Sequence, residues 1–210
     1  MTDFETFRDE IHTARQTELS RLGSSRGLYA DTAGEIDTEP VLEATAAAEH
    51  AAWETFSTWA EAETDPDLAA TFASVADDER THYETVLEVL GEAYEPDATP
   101  ALHRFLRDCE GTPDRLGGFV GRVLASRRSK DQVVGFFVGN ADPTTAATFR
   151  SFGADLDDQL TAIEAHFDRI CADEEARERA TASALGAIDA AYEAYVDSLE
   201  SLGVNPKPVC

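Results

Sequence analysis

Apolar residues recur every three or four positions along most of the chain, which is the spacing of amphipathic helices. Alternation of the kind found in strands is not evident. The segment DQVVGFFVG is the only β-like patch, and it lies inside a helical pattern. The pattern therefore predicts an all-α protein. The predicted helices span about 3–21, 40–63, 66–92, 114–139, 142–171 and 174–202, with a short helix within 99–109.

Two of the predicted helices begin with the same pattern, D-P-x-x-A-A-T-F-x-S, at an offset of 77 residues. The pattern starts at Asp65 and at Asp142, each followed by a proline. Aspartate is a preferred N-cap, and proline is favoured at the first helical position. The repeat therefore predicts a duplicated helical hairpin, and two hairpins joined by a long crossover form a four-helix bundle.

The predicted organisation is one domain, 1–210, with extra N- and C-terminal helices packed outside the bundle. The C-terminal helix has an apolar face that serves either for packing or for a homodimer contact. The predicted parts are an N-terminal helix and loop (1–39), a first hairpin (40–92), a crossover (93–113), a second hairpin (114–171), and a C-terminal helix and tail (172–210).

Three ionisable residues interrupt the apolar faces of the first hairpin. Glu49 lies in the stripe of helix 40–63, and Glu79 and His82 fill gaps in the stripe of helix 66–92. The hairpin turns near Asp65. Counted from that turn at 1.5 Å per residue, Glu49 and Glu79 differ in height by only about 3 Å. We therefore expect the three side chains to meet inside the hairpin.

Buried carboxylates are costly unless they are paired, protonated or bound to a metal ion. Glutamate oxygens and an imidazole nitrogen suit iron, manganese or zinc, and the i, i+3 spacing of Glu79 and His82 allows both to bind one ion. The alternative is a buried network of hydrogen bonds without metal. The sequence leaves both interpretations open.

The segment AAEHAAWETFSTWAEAETDPDLAATFASVADDERTHYETVLEVLGE resembles the rubrerythrin-like, ferritin-like di-iron carboxylate proteins. That resemblance implies a ferritin-like bundle. It also implies a site with one glutamate on each of two helices and a Glu-x-x-His on each of the other two. Glu49, Glu79 and His82 match one half of such a site. The implied role is redox chemistry or metal handling by one iron, manganese or zinc ion. A metal-free scaffold or interaction protein with a relic site is the alternative.

The second hairpin lacks the matching ligands. The offset of 77 takes Glu49, Glu79 and His82 to Ser126, Leu156 and Gln159. Asp155 and Gln159 are additional candidates that can supply an oxygen at the edge of the site. Arg127 has two interpretations. It belongs either to a solvated basic patch or to the core, where it replaces a metal ion by pairing with Glu49 or Glu79.

The charge of the chain excludes several classes of partner. Acidic residues number 42 against 17 basic ones, giving a net charge of −25, and only Lys130 and Lys207 are lysines. Such a surface is typical of adaptation to high salt. It argues against binding to nucleic acid and to anionic membranes, both of which need a basic surface.

The cysteines and glycines exclude two kinds of cofactor. Cys109, Cys171 and Cys210 include no C-x-x-C pair, so a rubredoxin-type iron site is not expected. No glycine-rich fingerprint for a nucleotide cofactor is present. The acidic opening segment and the absence of an apolar run of about 20 residues favour a cytoplasmic protein.

Overall fold

The computed structural model describes residues 3–206, and this part of the chain is helical and contains no strand. The predicted all-α class is confirmed. In chain order the helices are α1 (Phe4–Ala14), α2 (Gln16–Leu22), α3 (Ser25–Asp31), α4 (Thr38–Ala62), α5 (Pro66–Leu90), α6 (Ala101–Arg107), α7 (Thr112–Gly139), α8 (Pro143–Ile170) and α9 (Glu174–Ser201).

The N-terminal region differs from the prediction in two ways. The single helix expected at 3–21 is broken at Arg15, whose guanidinium binds the Asp189 carboxylate of α9 through two hydrogen bonds of 2.6 and 2.8 Å. The segment expected to be a loop contains α3. This short helix forms because Leu28 becomes buried in the core cluster that includes Val41 and Val86.

Both predicted N-caps are confirmed. The Asp65 carboxylate accepts a hydrogen bond of 3.0 Å from the Leu68 backbone N–H, and the Asp142 carboxylate accepts one of 3.0 Å from the Thr145 backbone N–H. In each case a proline occupies the first turn of the helix. These caps fix where α5 and α8 begin, and hence the heights of the residues that each helix places in the core.

Of the five long helices that the structure describes, α4, α5, α7 and α8 form two helical pairs, and α9 is the fifth. α4 packs along α5, α7 packs along α8, and the pairs meet through α5 and α8. By contrast, α4 and α7 make little direct backbone contact and face each other across a groove. On its other side α7 packs closely on α9, and α6, in the crossover, lies against α4, α7 and α9.

Two glycines allow α7 and α9 to approach so closely. A Cβ atom at Gly117 would lie 1.9 Å from the Ala180 carbonyl oxygen, and one at Gly121 would lie 2.2 Å from the Ala184 carbonyl oxygen. Since no real Cβ atom comes that near to a backbone oxygen, only glycine permits this packing. The contact buries Ala180 and Ala184 completely.

Two of the three apolar clusters within residues 3–206 lie along the paired helices. One lies towards the α4–α5 turn and includes the packed rings of Phe56, Trp59, Phe72 and Phe119. The other lies towards the opposite end of those helices and includes Leu42, Val86, Phe137 and Phe149. Val89 of α5 lies outside this interior, because it is 37% exposed. Within residues 3–206, no helix is long and apolar enough to cross a membrane.

Candidate metal site

Glu49, Glu79 and His82 lie between the two apolar clusters, and the structure brings them together as the helical spacing predicts. One ligand atom from each residue lies within 4.8 Å of the others. His82 Nδ1 is 3.6 Å from Glu79 Oε2 and 3.9 Å from Glu49 Oε2. All three residues are at least 96% buried. The arrangement is therefore a compact set of two carboxylates and one imidazole.

Two of these converging atoms lack a hydrogen-bond partner. Glu79 Oε2 and His82 Nδ1 are buried, and neither has a partner in the described part of the chain. On the other side of the His82 ring, Nε2 lies 2.8 Å from Asp155 Oδ2. An ionised carboxylate only accepts hydrogen bonds, so Asp155 fixes the proton on Nε2. In the neutral ring, Nδ1 therefore presents a lone pair towards the two glutamates.

A buried lysine pairs with the first glutamate. Lys130 Nζ donates a hydrogen bond of 2.5 Å to Glu49 Oε1, and only 6% of the lysine is exposed. The ammonium also lies 5.6 Å from the centre of the Phe152 ring, which stacks on the imidazole of His82 at 4.0 Å. Phe152 thus covers one side of the site and contacts both a cation and a ligand candidate.

A buried arginine pairs with the second glutamate. Arg122 Nη2 lies 2.8 Å from Glu79 Oε1, and Arg122 Nη1 donates to Gln159 Oε1 at 2.9 Å. The Gln159 amide in turn donates to Glu79 Oε1 at 2.9 Å. The arginine is 1% exposed and lies over the Phe56 ring, 5.2 Å from its centre. Arg122 and Gln159 therefore hold one oxygen of Glu79 and leave the other free.

The additional residues named from the sequence have three different outcomes. Gln159 is buried and bonds to Glu79, and Asp155, whose side chain is 43% exposed, bonds to His82. The hypothesis that Arg127 enters the core is wrong. Its Nη1 binds Asp157 and the Gly153 carbonyl oxygen, each at 2.6 Å, and its side chain is 38% exposed. Two other cations, Arg122 and Lys130, pair with Glu79 and Glu49 instead.

The pKa values follow from this pattern of burial and charge. For Glu79, burial opposes ionisation, but the Arg122 guanidinium, together with the nearby His82 and Lys130, outweighs it and holds the pKa well below the ordinary value. For Glu49, burial dominates over the attraction of Lys130 and raises the pKa. Burial also opposes charging of His82, but the Glu79 carboxylate 3.6 Å from Nδ1 and the negative charge of Glu49 raise its pKa. The site thus favours a positive charge at His82.

The sequence contained one signal for the missed cations. Lys130 is the only lysine within residues 3–206. A lysine in a stretch of chain that otherwise lacks lysine indicates a specific role for that residue. Arg122, Ser126 and Lys130 also follow a four-residue spacing, which places them on one face of a helix. That face coincides with the position where the repeat predicts the second half of a metal site.

Comparison of the chain with protein-family models, with curated proteins and with solved structures returns no match. The chemistry of the site therefore has to be judged from its own atoms. When His82 is neutral, two carboxylate oxygens and the lone pair of its Nδ1 converge, and this set of atoms fits one metal ion. A second ion does not fit, because Arg122 and Lys130 occupy the side where its ligands would lie.

Proposed function

We propose that this chain is a ferritin-like bundle of the rubrerythrin-like kind that has kept one half of a di-metal site. The half-site binds a single divalent iron, manganese or zinc ion in a metal-handling role. The observation that supports this most directly is the pair of unpartnered atoms, Glu79 Oε2 and His82 Nδ1, beside Glu49 Oε2. The helical pairs α4–α5 and α7–α8, joined by a long crossover, agree with the bundle.

Each residue has a distinct role in this proposal. Glu49, Glu79 and His82 would hold the ion, which supplies Lewis acidity or one-electron chemistry when bound. Asp155 keeps the proton on His82 Nε2 and thereby orients the ring, as carboxylate partners of ligating histidines do. Arg122 and Gln159 hold Glu79, so the carboxylate is oriented before a ligand arrives.

Two-metal oxygen or peroxide chemistry is not part of the proposal. Such chemistry needs ligands on both sides of a pair of ions. Here Ser126 and Leu156 offer no carboxylate, Gln159 donates to Glu79, and two cations fill the remaining space. The buried charges of Glu49, Glu79, Arg122 and Lys130 already sum to zero. A divalent ion therefore adds uncompensated charge, and we expect weak and reversible binding.

The test is calorimetric titration of chelator-treated, tag-free protein with Mn²⁺, Fe²⁺ under anaerobic conditions, and Zn²⁺. We expect one ion per chain, and loss of binding in both Glu79→Gln and His82→Gln. Glu84→Gln is the matched control, because Glu84 is an exposed acid of the same helix. Two tightly held irons per chain with an oxo-bridged absorption band would overturn the single-ion proposal.

A second candidate function is a metal-free scaffold or interaction bundle. The ion pairs Lys130–Glu49 and Arg122–Glu79 favour it, because they neutralise the buried carboxylates without any metal. In that case His82 would carry the remaining positive charge and pair with Asp155. Titrations that show no saturable binding of any of the three metals, with unchanged thermal stability in their presence, would favour this candidate.

A further inference from the structure

The groove between α4 and α7 contains a cavity of about 280 Å³ that reaches the buried ion pair Glu49–Lys130. Its walls consist largely of small residues, and this explains why space remains between the helices. The alanines among them are Ala44, Ala47 and Ala48 of α4, Ala101 of α6, Ala125 of α7, and Ala191 and Ala194 of α9. Ala48 and Asp31 also line the cavity and are exposed, so the cavity opens to solvent.

One wall of the cavity is polar and consists mainly of donors. Arg122, Ser126, Ser129 and Lys130 all line it from one face of α7. Arg122 Nε is buried and has no hydrogen-bond partner in the described part of the chain. Lys130 Nζ donates one hydrogen bond to Glu49, although an ammonium group has three N–H donors. Because buried donors without acceptors are costly, this wall favours a ligand that brings an acceptor atom.

The charge of the wall decides between charged and neutral ligands. Arg122 and Lys130 are each paired with a buried glutamate, so the four groups together carry no net charge. Asp31 lies where the cavity opens to solvent, but in the buried part an ammonium group would meet two cations, and a carboxylate would bring a fifth charge into a balanced set. A ketone, amide or alcohol oxygen would accept hydrogen bonds without disturbing that balance.

The volume limits the size of the ligand. A dry cavity of about 150 Å³ accommodates benzene, which has six heavy atoms. Scaled by volume, the α4–α7 cavity of about 280 Å³ accommodates about eleven heavy atoms. We propose that the α4–α7 groove binds a small neutral amphiphile, with its carbonyl or hydroxyl oxygen at Arg122 and Lys130 and its apolar body between the alanines. The cavity shares Glu49 with the proposed metal site, but this binding needs no metal ion.

The test uses 2-octanone, octanoate and octylammonium as probes, titrated in the presence of a chelator so that metal plays no part. Binding is followed by calorimetry and by methyl NMR shifts of the groove alanines. We expect 2-octanone to bind at one site per chain, at least about tenfold more tightly than either charged probe, a difference of about 1.4 kcal/mol. The alanine methyls that line the cavity should shift most.

Blocking variants locate the site. Ala44→Phe on α4 and Ala191→Phe on α9 fill the cavity from opposite walls, and each should abolish 2-octanone binding. Ala62→Phe is the matched control, because Ala62 is an exposed residue of α4 outside the cavity and its variant should bind as the wild type does. Circular dichroism identifies any variant that fails to fold, and the two blocking positions give independent tests.

Several outcomes would refute the proposal. These are no saturable binding of 2-octanone to the folded wild type, unchanged binding in both blocking variants, or equal affinity for a charged probe. If Glu79→Gln loses metal binding but still binds 2-octanone, the result supports the metal-site proposal and leaves the ligand proposal for the groove intact. The two proposals can therefore fail separately.

Discussion

Lys130 donates a hydrogen bond of 2.5 Å to Glu49 across the space between α7 and α4, and both side chains are buried. Together with the contacts of the Phe56 ring with Phe119 and Arg122, this pair links two helices whose backbones make little direct contact. Removing one member of a buried ion pair leaves an uncompensated charge, which usually costs more than the pair contributes to stability. The pair therefore joins the two sides of the groove, and its energetic role can be measured.

The first prediction concerns this pair. Lys130→Met should lower the free energy of unfolding by about 3–5 kcal/mol, because Glu49 stays buried without its cation. Adding Glu49→Gln to that variant should recover more than half of the loss. The measurement is urea unfolding at fixed salt for the wild type, both single variants and the double variant. Additive effects of the two substitutions would show that the pair has no special coupling.

The second prediction concerns Asp155. Asp155→Asn should weaken metal binding by about 10–100-fold, because the amide no longer enforces a proton on His82 Nε2. Stability should change little, since the Asp155 side chain is 43% exposed. The control is Asp157→Asn, which alters an exposed aspartate two positions along that binds Arg127 instead. Equal affinities of the two variants would contradict an orienting role for Asp155.

The third prediction concerns pH and His103. This histidine is 3% exposed, and burial, together with the nearby Arg122 charge, lowers its pKa to about 3. Arg107 and Lys130 also disfavour its protonation, and Glu79 opposes them. In the unfolded chain the pKa of His103 is near 6.5, so below pH 6.5 the unfolded state binds a proton that the folded state does not bind. The contribution of His103 to stability is therefore fully present above pH 6.5 and is lost as the pH falls towards 3.

The size of this effect is measurable with one variant. The stability difference between wild type and His103→Gln should shrink by about 2 kcal/mol between pH 7 and pH 5, because only the wild type gains the unfolded-state proton. Urea unfolding at both pH values, at constant ionic strength, gives the difference. A difference that is independent of pH would mean that His103 titrates normally in the folded protein.

The fourth prediction concerns salt. With a net charge of −25 the folded surface repels itself, and screening removes most of that repulsion. The urea midpoint should therefore rise between about 0.1 M and 2 M KCl, where the screening length falls to a few ångströms. A midpoint that stays constant or falls over this range would argue against adaptation to high salt.

The sequence was sufficient to place Glu49, Glu79 and His82 because their positions depend on regular helix geometry. The rise of about 1.5 Å per residue gives their height along the bundle axis. The three- or four-residue spacing shows that they lie on the helix face that points into the core. Arg122 and Lys130 were missed because arginine and lysine are ordinary surface residues, and only the packing of α7 shows that these two face inwards. The hypothesis that Arg127 points into the core is wrong for the same reason. Each step along a helix turns the side chain by about 100°, so the residue after the inward-facing Ser126 points away from the core.

The short helix α3 could not be predicted for a different reason. A seven-residue segment has too few hydrogen bonds to be stable alone, so it depends on contacts that the local pattern does not contain. Leu28 supplies those contacts in the core. The packed pairs of long helices, in contrast, have enough apolar periodicity to be recognised without tertiary information.

The glycines of α7 have a mechanical consequence for the groove. Because Gly117 and Gly121 bring the backbones of α7 and α9 into direct contact, these two helices behave as one rigid wall. Arg122 and Lys130 project from that wall. Any widening that admits a ligand must then come from the opposite bank, which α4 forms. The fixed wall keeps the two cations in register along the groove.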